Sequence, residues 1–223
     1  MDMLALADLD DDALREAYTA PKAPWWRLNF VATVDGAIRG SDGLSGSINN
    51  DADERVFTTL REISDVVVVG AGTARAEDYQ VNERPVVVVS RSGAVPETLG
   101  TSPRGTVLLA TVRNAPLLSQ ALDVLGKENV LLLGDDEVDL DGLRDEIHAR
   151  GWQQVLCEGG PHLAADLVAA GQIDELCLTV VPLLLGGESL RLLAGARSTS
   201  AVALHQLIEH HGTLLQRWWI NPA

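Results

Sequence analysis

Three segments of this 223-residue chain combine glycines with polar side chains where an apolar run ends, the pattern from which ligand-binding turns are built. The first is Val69-Gly70-Ala71-Gly72-Thr73-Ala74-Arg75, which closes a run of valines. It begins like a dinucleotide fingerprint, but Arg75 stands where the third glycine should be, so a standard Rossmann crossover is not supported. A glycine-rich turn leaving a buried strand accounts for it equally well. The second is Leu156-Cys157-Glu158-Gly159-Gly160-Pro161-His162-Leu163. Two glycines let the backbone come close to a ligand, Pro161 suits a first helical position, and the helix start offers unpaired N–H groups to a diphosphate. Glu158 adds a carboxylate at the strand end. The third is Ser90-Arg91-Ser92-Gly93, after Val86 to Val89. Hydroxyls and a guanidinium suit a ribose 2′-phosphate, whereas a free ribose wants Asp or Glu, so NADP(H) is the form expected if a nicotinamide cofactor binds. An ordinary polar loop is the competing reading.

Other chemistry lacks its residues. The chain has no Gly-Lys-Ser/Thr phosphate loop, no His-Glu-x-x-His, no Gly-x-Ser-x-Gly elbow and no Cys-x-x-Cys. Cys157 and Cys177 sit in apolar segments and read as buried thiols rather than a disulfide or zinc pair. His148 and His205 read as surface or core residues. His210 and His211 read as turn histidines, because neighbours on a strand point to opposite faces and would not share a metal. With 32 acidic and 17 basic residues the formal charge is −15, which repels nucleic-acid backbones and anionic membrane surfaces. No apolar run reaches the roughly 18 residues of a membrane span and no basic leader precedes one, so the cytoplasm is the expected location. The acidic cluster Asp2, Asp8, Asp10, Asp11, Asp12 and Glu16 reads as a solvated helix start.

These turns need a frame, and the hydrophobic pattern supplies one. Strands are expected at Leu28 to Thr33, Val66 to Gly70, Val86 to Ser90, Thr106 to Ala110, Val130 to Leu133, Gln154 to Cys157 and Glu175 to Val181. Continuous valine runs imply strands buried on both faces, hence parallel strands between helices. Helices are expected at Asp51 to Ile63, Pro116 to Gly126, Asp139 to Arg150 and Pro161 to Ala170. In the third, Leu140, Leu143 and Ile147 fall on one face. After Pro182, Val202 to Ile208 and Thr213 to Ile220 form a hairpin around Gly212, so the sheet should end antiparallel. Ser90 to Arg104 reads as a loop. The expected organisation is an acidic segment, residues 1–24, packed on one α/β domain, residues 25–223.

In this order on one α/β chain, the three turns resemble the dihydrofolate-reductase-like reductases of riboflavin biosynthesis over roughly residues 25–220. The specific pieces are Asn29-Phe30-Val31-Ala32-Thr33-Val34-Asp35-Gly36, Val69 to Asp78 and Cys157 to Pro161. The resemblance implies a three-layer sandwich with a mostly parallel sheet and an antiparallel hairpin at its end. It also implies a reductase that uses NADPH to convert the ribosylamino side chain of 5-amino-6-(5-phosphoribosylamino)uracil to ribitylamino. On it, Ala32 and Thr33 flank the nicotinamide, Gly70 and Thr73 bind cofactor, Ser90 and Arg91 take the 2′-phosphate, and Gly159, Gly160, Pro161, His162 and Leu163 cradle the diphosphate. Asn29, Ser45, Arg55, Val81 and Arg84 are the implied substrate positions, with the two arginines meeting the phosphate; a pairing of Arg55 within its own helix is the alternative. A homodimer is implied, with Trp25, Trp26, Trp218 and Trp219 either at its interface or in the core.

Relatives of this kind commonly carry Lys where Asn29 stands and Trp where Ser47 stands. The zinc deaminase pattern of the bifunctional versions is absent, so a stand-alone reductase is expected. Positioning carries most of the rate of a hydride transfer, and Asp35 or Glu158 is the expected proton source. A pterin or folate reductase, a non-catalytic NADP-binding module and an assembly component whose glycine turns are only structural are the competing readings.

Overall fold

Valine runs without a polar face form strands that must be covered on both sides, and the alternation of their side chains shows where the cover lies. In the computed structural model, which describes residues 3–81, 83–195 and 198–221, Val66 and Val68 enter one apolar cluster while Val67 and Val69 enter another. The strands are β1 (Leu4–Ala5), β2 (Trp25–Thr33), β3 (Val66–Gly70), β4 (Val86–Val89), β5 (Val107–Thr111), β6 (Val130–Leu132), β7 (Gln154–Cys157), β8 (Glu175–Val181), β9 (Val202–His210) and β10 (Thr213–Ile220). The helices are α1 (Asp11–Ala17), α2 (Asp51–Glu62), α3 (Ala71–Ala76), α4 (Glu97–Gly100), α5 (Leu118–Leu125), α6 (Leu140–Ala149) and α7 (Pro161–Ala169). The strands make one ten-stranded sheet in the order β1-β9-β10-β8-β2-β7-β3-β4-β5-β6. Every pairing is parallel except those of β10 with β8 and β9. This is the architecture expected: a mostly parallel sheet ending in an antiparallel pair.

Helices α6 and α7 cover one face, through Leu143, Ile147, Leu163 and Leu167. The other face is covered by α3 and α5 at one end of the sheet and by α1 and α2 at the other. Apolar burial of this kind is worth about 25 cal/mol per Å². Leu6, Leu14 and Tyr18, all buried, join Val56 and Leu60 of α2, so the segment before β2 packs on the sheet. Asp10 caps α1, accepting from the Ala13 N–H at 2.8 Å, with Asp11 and Asp12 in the first turn; Asp2 lies outside the described residues. A buried ion cluster ties this segment down. Glu175 accepts from Arg27 Nε at 2.9 Å and from Arg217 Nε at 2.5 Å, and the two arginines also donate to the carbonyls of Tyr18 and Ala17. Burial opposes ionisation of Glu175, but the hydrogen bond and charge of Arg217, with the charge of Arg27, outweigh it and hold the carboxyl at about 2.

Two details differ from the expected elements. The stretch expected to be a loop, Ser90 to Arg104, contains the short helix α4, and the first glycine turn runs directly into α3. Glycines at 70 and 72 lower helix propensity, but Ala71 and Ala74 pack on the valine strands and tertiary burial overrides it. The β9–β10 turn places His211 (φ 49°) and Gly212 (φ 85°) both in the left-handed region, as a two-residue hairpin loop requires. Trp25 and Trp26 are core residues, and Trp219 stacks on His205 at 4.1 Å. Among the described residues no helix is long and apolar enough to cross a membrane.

Candidate active site

The carboxyl ends of the central parallel strands open into two adjoining cavities, the position at which open α/β sheets bind ligands. The larger, about 670 Å³, runs along the three turns singled out by the sequence: Gly70 and Thr73, Ser90 and Arg91, and Gly160 to Leu163 all line it. The second, about 430 Å³, lies between α2 and the ends of β2 and β7, with Asn29, Ser45 and Glu158 in its wall. Arg39, Thr73, Gly160 and Pro161 line both, so the two cavities adjoin at these residues.

The glycines are there because two turns cross in contact. The Gly70 N–H donates to the Gly159 carbonyl at 2.7 Å. A Cβ on Gly160 would lie 2.2 Å from Thr73 Oγ1, and one on Gly159 (φ 82°) would lie 2.7 Å from the Phe30 ring. Helix α7 starts at Pro161 with Gly160 as an N-cap that has no side-chain acceptor, leaving its first N–H groups facing the groove. A glycine cradle under an open helix start, with Ser90, Ser92 and Arg91 along the same groove, fits the class of a nicotinamide dinucleotide. Arg75, which the fingerprint test counted only as a missing glycine, also lines this groove. Arg91 reaches Glu137 at 3.0 Å on the exposed rim.

The remaining expected residues divide. Glu158 is buried in the wall of the second cavity, held by Arg61 through two parallel bonds of 2.7 Å, and it accepts from the Tyr79 hydroxyl. Burial, then the charge of Glu158, raises the Tyr79 hydroxyl well above its ordinary value. Asp35 lies in neither cavity wall. It accepts from Thr33 Oγ1 at 2.5 Å and from the N–H groups of Leu185 and Gly186, and these bonds, Thr33 first, lower its carboxyl to about 2. Such a group is a carboxylate at neutral pH and ties down a loop. Ala32 and Thr33 are buried at the end of β2, outside both linings, with the Thr33 hydroxyl engaged by Asp35 and the Ala37 N–H.

Of the two arginines expected at the substrate phosphate, Arg55 faces away. It donates to the Leu9 carbonyl at 2.6 Å and pairs with Asp11 at 2.9 Å, so it holds the N-terminal segment. The pairing within its own helix, weighed as the alternative, is not what forms. Arg84 donates to the Glu62 carbonyl and lines a third cavity of about 340 Å³ that shares Glu54, Phe57, Arg61 and Gln80 with the second. Its Nε is buried without a partner. Val81 packs against the outer valine cluster instead of lining a cavity.

Sequence reasoning missed Arg61, Tyr79, Asp53 and Asn49, all in the wall of the second cavity. The signal was available: Asn49, Asp53, Phe57 and Arg61 recur every fourth residue, one face of a helix and its entry. Asp53 is 5% exposed. Burial, with the neighbouring Glu54 charge, raises its carboxyl to about 6 against a lowering hydrogen bond from Thr179.

Comparison with known proteins agrees with this arrangement. The profile of the RibD C-terminal domain matches residues 24–214. A 2,5-diamino-6-ribosylamino-4(3H)-pyrimidinone 5′-phosphate reductase of Methanothermobacter thermautotrophicus is 28% identical over 81% of this chain and 88% of its own length. A reductase of the same name from Aquifex aeolicus is 29% identical over 84% of this chain and 91% of its own. Among solved structures, a pyrimidine reductase-like protein from Corynebacterium diphtheriae superposes with a TM-score of 0.76 at 22% identity, covering 90% of this chain and 93% of that one. A match that spans the sheet and both cavities establishes that the chain belongs to the RibD C-terminal domain family.

Proposed function

We propose that this protein reduces the ribosylamino side chain of a phosphorylated aminopyrimidine to ribitylamino, using NADPH, in the cytoplasm and as a homodimer. The observation that carries the reading is the junction at Thr73 and Gly160. There a groove built for a phosphorylated dinucleotide opens into a cavity sized for a pyrimidine nucleotide. When bound, the nicotinamide supplies a hydride to the sugar carbon that bears the amine. The chain's own residues bind, orient and exclude water. Gly159 and Gly160 let the backbone approach, the α7 N–H groups face the diphosphate, and Ser90 and Arg91 favour a 2′-phosphate over a free ribose hydroxyl. Arg61 and Tyr79 fix Glu158 in the wall of the second cavity, where a proton must arrive as the sugar opens. Arg84, which lines the adjoining cavity, is the cation for the substrate phosphate. The exposed leucines Leu183, Leu184 and Leu185, consecutive in the chain, are apolar surface available for self-association.

The test is NADPH consumption, followed by absorbance, with the ribosylaminopyrimidine phosphate and with dihydrofolate side by side. Consumption with the first alone is the expected result. Consumption with dihydrofolate alone would replace this reading with a folate reductase. NADPH binding without turnover of either would leave a non-catalytic module, and no binding at all would make the glycine turns structural.

A further inference from the structure

The wall that α2 and its entry present to the substrate cavity carries a carboxyl with one side-chain donor, Asp53, and an amide oxygen with none, Asn49 Oδ1. Asp53 is buried in that wall, and no lysine, arginine or histidine among the described residues pairs with it. Thr179 of β8 is the one side chain hydrogen-bonded to its carboxyl. One turn earlier, Asn49 donates its Nδ2 to Glu54 at 3.0 Å, which fixes the amide orientation and leaves Oδ1 as the free acceptor. That oxygen is buried with no donor. Polar groups in this state call for a partner, and both belong to the cavity in which the ring must lie.

A pyrimidine ring can present two kinds of edge to such a wall. A 4(3H)-pyrimidinone with an amino group at position 2 carries two donors side by side, the ring N3–H and the exocyclic N–H, which match the two oxygens of a carboxylate as a guanidinium does. A uracil carries a single N–H between two carbonyls. Its position-2 oxygen would be pushed against the Asp53 carboxyl and against Asn49 Oδ1. We propose that Asp53, assisted by Asn49 Oδ1, is the specificity-determining residue that reads position 2 of the substrate ring, so that the 2-amino ring is accepted in preference to the 2-oxo ring. This rests on the reading of the cavity as a ribosylaminopyrimidine site. It separates two jobs in one pocket: Asp53 selects the ring from the first turn of α2, while Glu158, held by Arg61 from the last turn of the same helix, faces the reacting sugar.

The experiment compares wild type and Asp53→Asn with two substrates that differ only at position 2, at saturating NADPH. Wild type should favour the 2-amino compound in kcat/KM by about 10,000-fold, the scale on which a site built to hydrogen-bond a substrate N–H rejects the analogue that lacks it. Asp53→Asn turns an acceptor into a group that also donates. It should therefore lose most of that preference, through KM more than kcat, with the 2-oxo compound unchanged or improved. Equal use of both rings by wild type, or an unaltered ratio in the variant, would overturn the proposal. If neither compound consumes NADPH, the reductase reading fails separately, and titration with the two ribosylaminopyrimidine phosphates still decides the selectivity. Should Asp53→Asn not fold, Asn49→Leu at the half-buried entry to α2 serves instead. It should weaken the 2-amino ligand several-fold, and an equal loss for both ligands would count against the assignment.

Discussion

Replacing Asp53 with asparagine should make the protein more stable at alkaline pH, because burial holds this carboxyl at about 6 in place of its ordinary 3.8. Between those two values the folded state keeps a proton that the unfolded chain has released. Stability therefore falls as pH rises, by about 1.36 kcal/mol for each unit of the difference. A difference of about two units costs about 3 kcal/mol, complete once the pH exceeds the folded value. Asparagine has nearly the same shape and no charge to bury. It gives up a favourable first-turn charge on α2, worth about 0.3–1 kcal/mol. The variant should then gain about 2 kcal/mol at about pH 8, and this gain should vanish on acidification toward about pH 4. Urea denaturation across that range measures it. At the unfolding entropy typical of a chain this long, the gain corresponds to a melting rise of about 4 °C. A difference that does not vary with pH, or a variant less stable at about pH 8, would mean that Asp53 is ionised and paired, and the argument from burial would be wrong. The expected outcome is a residue that costs stability, as residues retained for function often do.

Three other perturbations follow from the same geometry. Arg61→Met strands the buried Glu158 and should cost about 3 kcal/mol in a denaturation experiment, with the double variant Arg61→Met/Glu158→Gln recovering most of the loss. Gly160→Ala puts a methyl 2.2 Å from Thr73 Oγ1 and should weaken NADPH by at least about tenfold in a fluorescence titration, with Thr73→Ala restoring part of the affinity. Asp35→Asn should keep turnover within about threefold of wild type, since a carboxyl lowered to about 2 holds no proton to give at neutral pH. Its bonds to the Leu185 and Gly186 N–H groups should be present above pH 4 and lost only as pH falls toward that lowered value, so limited proteolysis near residue 185 should rise in the variant and, in wild type, only in strong acid. A large loss of kcat in Asp35→Asn would return it to the mechanism.

The valine strands, the helix after Gly160 and the closing hairpin were legible because each is written in contiguous residues: runs, a proline at a helix start, a glycine at a turn. The cofactor turns were legible for the same reason, since Gly70, Ser90 and Gly160 each end a strand, and parallel strands bring their carboxyl ends to one side. The substrate wall was harder, because α2 offers several polar faces at once. Arg55 and Arg61 are six residues apart, which on a helix turns them by about 120° from one another, so they do not serve one cavity. Only the docking of the N-terminal segment decides that Arg55 meets Asp11 and Leu9.

What the sequence by itself determined is the α/β frame and the place of the turns at Gly70, Ser90 and Gly160 on it, because backbone conformation answers to neighbouring residues. What only the tertiary structure decided is which side chains those turns meet. It set Arg61 and Tyr79 on Glu158, Asp35 on a loop, and Asp53 with Asn49 in the wall of the second cavity. Charge pairing and burial act through space between elements far apart in the chain, so the four-residue recurrence that puts Asp53, Phe57 and Arg61 on one face does not say what that face meets.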